Sequence, residues 1–168
     1  GVAILVEGYM DFLQLYQAGI ENVIAVAGTA FTEEHINQVR KLTSKVILMY
    51  DGDSAGQGAA IRAGYMLLQG GIEPLIVKVP DSLDPDDWIK RDGEKVIREH
   101  INSAEDLISF HISLSNEKKM SPSERSDFIK EVMNNISLIE DDILKNEIIK
   151  TVSDQMNIDE NILIVTAE

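Results

Sequence analysis

Apolar residues in the first hundred positions fall into two alternating patterns. Residues 2–6, 23–26, 46–50 and 75–79 are short, nearly unbroken apolar runs. With no polar alternation, each reads as a strand buried on both faces. Between them the apolar positions recur three or four apart, as at Met10, Leu13, Leu15 and Ala18, then Ile36, Val39 and Leu42, then the small and apolar residues of 55–68. Gly19 and Gly70-Gly71 are stop signals for the first and third of these helices. Thr32, followed by Glu33 and Glu34, is a sound start for the second, although His35 does not make a standard capping box. Strand and helix repeated in this way predict a parallel sheet with helices on its faces.

Beyond about Arg98 the strand-like runs stop and amphipathic helical patterns take over, over residues 104–114, 122–139 and roughly 143–156. Ser121, Pro122 and Glu124 form a capping box with proline in the favoured first position. Asn157-Ile158-Asp159 breaks the pattern before a last apolar stretch at 162–165. The expected architecture is an α/β domain over residues 1–98 followed by a small all-α helical bundle over 99–168.

Composition narrows the function classes. The chain has 168 residues with 15 Lys and Arg against 29 Asp and Glu, a formal net charge of −14. Such a surface repels phosphate backbones, which argues against nucleic-acid binding by simple electrostatics. With no cysteine there is no disulfide and no thiolate zinc site. No run approaches the roughly 20 apolar residues of a membrane helix, so a cytoplasmic protein without membrane contact is expected. The chain has no initiator Met and begins almost on a strand, as an excised piece of a longer protein would.

The acids are placed unevenly. The third strand ends in Asp51-Gly52-Asp53, the first in Glu7 with Asp11 four residues on, and the fourth in a segment holding Asp81, Asp84, Asp86 and Asp87. Ligands of open α/β sheets collect at the carboxyl ends of strands, so Asp51 and Asp53 are well placed for a cation or a phosphate. Gly52 is expected to allow the sharp turn between them. Asp84 before Pro85 is also a good helix cap, but capping needs one carboxylate and the segment supplies four. His35, His100 and His111 are scattered and read as solvated or capping; Trp88 and Tyr65 read as packing residues; Lys90-Arg91 and Lys118-Lys119 read as solvated helix faces.

Val6-Glu7-Gly8-Tyr9-Met10-Asp11, Gly28-Thr29-Ala30 with Thr32-Glu33-Glu34, Tyr50-Asp51-Gly52-Asp53 with Ala55-Gly56, and Asp84-Pro85-Asp86 closely resemble, in order and spacing, the Toprim domain of bacterial DnaG-type DNA primase. The helical half resembles the bundle that closes the primase polymerase core. The resemblance implies a Rossmann-like Toprim sheet, with Glu7, Asp11, Asp51, Asp53, Asp84 and Asp86 around two or more Mg²⁺ or Mn²⁺ ions. It implies Asp51 and Asp53 as principal ligands and Glu7 as ligand or proton acceptor. The implied reaction is two-metal transfer of ribonucleoside triphosphates onto an RNA primer along a single-stranded DNA template during replication. Zinc is implied only for an upstream domain, and the replicative helicase is expected to dock on a downstream domain, neither within this chain. The fragment is expected to be monomeric, to bind metal and to make no primers alone. A nuclease or topoisomerase of the same fold, a phosphoaspartyl phosphatase using Asp51 and a non-catalytic scaffold are the competing readings.

Overall fold

The computed structural model describes residues 1–167. The chain divides into two compact units, residues 1–106 and a helical unit beginning at Leu107. The first holds β1 (Ala3–Val6), α1 (Tyr9–Gln17), β2 (Val23–Ala25), α2 (Glu33–Arg40), β3 (Lys45–Leu48), α3 (Ser54–Gln69), β4 (Glu73–Ile76), α4 (Pro85–Asn102) and β5 (Glu105–Asp106). Its sheet has the order β2-β1-β3-β4-β5. The first three pairings are parallel and the last is antiparallel.

Register fixes which side chains share a face. Val23, Ile4, Ile47 and Leu75 form one row across the four parallel strands. Ile4, Val6, Ile47, Met49, Val77 and Val79 then alternate onto one face, where they pack with Leu15 of α1 and Trp88, Ile89 and Ile97 of α4. The chain steps from β1 outward to β2, then crosses back over β1 to β3. This reversal makes the gap between β1 and β3 the topological switch point, where open α/β sheets bind their ligands.

The expected elements are present, with informative differences. Met10 is solvent-exposed, and α1 buries Asp11 and Leu15 instead; a carboxylate occupies an inward position that the apolar pattern assigned to methionine. The antiparallel strand β5 was not expected, since two exposed acids carry no apolar signal. α4 is kinked at Gly93, whose φ of 82° and ψ of 167° lie outside the helical region. It runs through the expected 98/99 boundary, so that the sheet unit extends to Asp106. His35 does complete a capping box, its Nδ1 accepting from the Thr32 amide at 3.0 Å.

The helical unit comprises α5 (Leu107–Asn116), α6 (Pro122–Ser137), α7 (Asp142–Met156) and α8 (Glu160–Ala167). The capping box at Ser121 forms as expected, its amide donating to Glu124 at 2.7 Å. Asn157 ends α7 with a left-handed φ of 51°. Phe110, Phe128, Val132, Met133, Ile136, Ile149, Val152, Met156 and Leu163 are buried. His111 is buried too, edge-on to Phe128, rather than solvated or capping; burial holds its imidazole down at about 4. Among the described residues, no helix is long and apolar enough to cross a membrane.

Candidate metal centre

Parallel strands deliver their outgoing ends to one edge of the sheet, and the acids follow. Glu7 leaves β1 and Asp51 leaves β3, so the two flank the switch point. The Asp51–Asp53 turn is tied to the loop that precedes α4 by the Gly52 amide, which donates to the Leu83 carbonyl at 2.8 Å. A Cβ on Gly52 would run into the Pro80 carbonyl, and one on Gly56 into the Asp51 carbonyl. Gly52 has no positive φ. Its requirement is therefore for close approach rather than for a left-handed backbone angle.

Helix starts orient three more acids. Asp53 caps α3, accepting from the Gly56 amide at 2.7 Å, and Asp84 caps α4, accepting from the Asp87 amide at 2.7 Å. Each cap uses one oxygen and leaves the other. Asp11, only 6% exposed, accepts from the Gly8 amide at 3.1 Å and from the Asp86 amide at 3.0 Å. It thereby joins the start of α1 to the start of α4.

The electrostatics of the edge run one way. Burial raises the Glu7 carboxyl above its ordinary range, with Asp51 adding to it. Burial pushes Asp11 up to about 6 despite the two amides, with Asp84 and Asp51 contributing. Asp51 is raised by burial and then by Asp84 and Asp53, and the Tyr50 phenol is raised by burial and by Glu7. Negative charge is in excess throughout, and a bound cation would relieve it. Asp86 supplies a more local observation. Its Oδ1 is buried without a hydrogen-bond partner. Asp84, Asp86 and Asp87 offer carboxylate oxygens that all lie within 4.8 Å of one another. All-oxygen donors with unspent lone pairs suit a hard divalent cation such as Mg²⁺ or Mn²⁺, which keeps several waters and needs few protein ligands.

All six acids expected at the site lie along this edge. Glu7, Asp11, Asp51, Asp53 and Asp84 sense one another's charge. Asp86 joins through its amide to Asp11 and its oxygens beside Asp84. Sequence reasoning did not single out Asp87 as a site residue, though it stood in the same run. Lys90, read as part of a solvated helix face, is exposed as expected, and its ammonium also lies 2.7 Å from Asp86 Oδ2. The four-residue spacing of Asp86 and Lys90 was the available signal.

A sheet of this order with carboxylates gathered across its switch point and at the neighbouring strand end defines the Toprim class. The chain belongs to the Toprim-like family, which matches residues 4–89, and within it to the bacterial DnaG-type DNA primases. A DNA primase of Clostridium acetobutylicum is 35% identical over 159 residues, covering 94% of this chain and 26% of the relative. The crystal structure of the zinc-binding and RNA polymerase domains of the Aquifex aeolicus primase superposes with a TM-score of 0.83 at 34% identity, over 98% of this chain and 40% of that one. A DnaG primase catalytic domain bound to single-stranded DNA superposes with a TM-score of 0.80 at 29% identity, over 95% of this chain and 52% of that one. The chain thus spans about a quarter of the length of the curated relatives it matches. Residues 113–161 match the family described as the DnaB-helicase binding domain of primase. The amphipathic helices carry no motif that would have announced it.

Proposed function

We propose that this chain supplies the metal-binding part of the catalytic core of a primase, a DNA-directed RNA polymerase that joins ribonucleoside triphosphates into short primers on single-stranded DNA. The acidic edge across the β1–β3 switch point carries this reading. Asp51 and Asp53 are the principal ligands, with Asp11, Asp84 and Asp86 holding cations directly or through water. Bound Mg²⁺ or Mn²⁺ would supply positive charge for the triphosphate and lower the pKa of the attacking 3′-hydroxyl. Glu7, raised by burial and by Asp51, is a ligand or a proton acceptor for that hydroxyl. The Gly52–Leu83 tie keeps the Asp51 turn and the Asp84 cap at fixed separation, so the ligands are positioned before any cation arrives. The template is gripped by basic parts of the whole primase, because the charge of −14 on this chain gives single-stranded DNA little to hold. The helical unit is the helicase-facing part, on the strength of its family description.

Isothermal titration with Mn²⁺ tests the metal reading. Asp51→Asn and Asp53→Asn should each weaken binding at least tenfold, about 1.4 kcal/mol, and abolish primer synthesis when placed in the whole primase. Unchanged titrations in both variants would overturn it. The chain alone should bind Mn²⁺ and make no primers.

A further inference from the structure

Lys90 is paired with Asp86 at the start of α4, and the manner of the pairing is informative. Its Nζ lies 2.7 Å from Asp86 Oδ2, the lysine side chain being 51% exposed and the aspartate 14%. Asp86 needs no such partner for folding. Asp84 already caps the helix, and the contribution of Asp86 to the packing of α1 against α4 is made by its amide to Asp11. An exposed i,i+4 ion pair adds at most a few-fold to helix stability. The other Asp86 oxygen, meanwhile, is buried and bare. The carboxylate is therefore half committed, with one oxygen on a half-exposed ammonium and the other without a hydrogen-bond partner, beside Asp84 and Asp87 oxygens within 4.8 Å.

We propose that Lys90 is a built-in, removable counter-ion for the cation site, which holds Asp86 while no divalent ion is bound and gives it up when one arrives. This rests on the metal reading above. An ammonium on a four-carbon stem is well suited to the role, being a single point charge with donors only and free to swing into solvent. It offsets one of three neighbouring negative charges, leaving enough charge to attract a divalent ion, while that ion must displace the ammonium to reach Oδ2. Lys90 is a positioning residue in this scheme; it orients and shields Asp86 and touches no reacting atom.

The experiment is a Mn²⁺ titration of the intact chain, followed by calorimetry and by the fluorescence of Trp88, the single tryptophan, two residues from Asp86. Lys90→Met removes the competing charge and keeps the apolar stem, and should tighten Mn²⁺ binding by about three- to tenfold. Lys90→Arg keeps the charge and should restore wild-type affinity or weaken it further. Raising KCl should weaken Mn²⁺ binding to the Met variant more steeply than to the wild type, whose site carries one charge less. Equal or weaker Mn²⁺ binding by Lys90→Met, with the wild type binding normally, would overturn the counter-ion role alone. A wild-type chain that binds no Mn²⁺ would overturn both this role and the metal reading.

Discussion

At the scale of single residues, burial and neighbouring charge hold Glu7, Asp11 and Asp51 of the site above the ordinary carboxylate range. Asp11 is the clearest case, since it is buried, accepts two amides and is still raised to about 6. A carboxyl whose folded value lies above its unfolded value of about 4 binds protons more readily in the folded state. Its contribution to stability is complete below about pH 4 and is lost as the pH rises towards 6. Asparagine has no such titration. In metal-free buffer the wild type should therefore lose stability relative to Asp11→Asn as the pH is raised from 4 to 7, whatever constant offset the lost amide contact introduces. Urea unfolding of both proteins at each pH measures this, and a constant difference would show that Asp11 titrates normally. The sequence pattern put these acids beyond the ends of strands, where the structure also has them, but carried nothing of what surrounds them. Gly52 was legible as a turn residue, while its closeness to the Pro80 carbonyl depends on a loop some thirty positions away that no local pattern encodes.

Caps connect residues to elements, and at this edge two of them serve fold and site together. Asp84 starts α4 through one oxygen and adds its charge to Asp11 and Asp51. The two roles separate by substitution. Asparagine caps as well as aspartate but carries no charge, whereas alanine does neither. Asp84→Asn should leave metal-free stability undiminished, because the cap persists and repulsion falls, yet weaken Mn²⁺ binding about tenfold. Asp84→Ala should in addition cost about 1 kcal/mol of stability. Urea unfolding in chelator, set beside Mn²⁺ titration, distinguishes the pair; equal stability of the two variants would deny Asp84 its capping role. The elements most legible in the sequence were those with strong local signals, such as the buried strands, the Asp84-Pro85 start and the Ser121 box. β5 and the Gly93 kink were not legible, because one is stabilised only by pairing with β4 and the other turns on a single backbone angle.

At the scale of the whole molecule, the two units differ in how they use acidity. Net charge of −14 is spread over the chain, but among the described residues the sheet unit alone gathers carboxylates at one edge, with Glu7, Asp11 and Asp51 raised and a bare buried oxygen on Asp86. Cation binding should therefore stabilise one unit and leave the other alone. A ligand present at 100 times its dissociation constant adds about 2.7 kcal/mol to whatever folds with it. Amide hydrogen exchange of the chain in Mn²⁺, compared with chelator, should show added protection over 7–11, 51–56 and 84–90, the three segments that present the acids, and through the strands behind them. α6 and α7 should exchange at the same rates in both buffers, since no bare buried acid occurs there among the described residues. Added protection spread evenly across both units would mean that Mn²⁺ acts by screening the overall charge, as K⁺ would at higher concentration. Protection confined to the three segments requires a site, because screening falls on every exposed carboxylate alike.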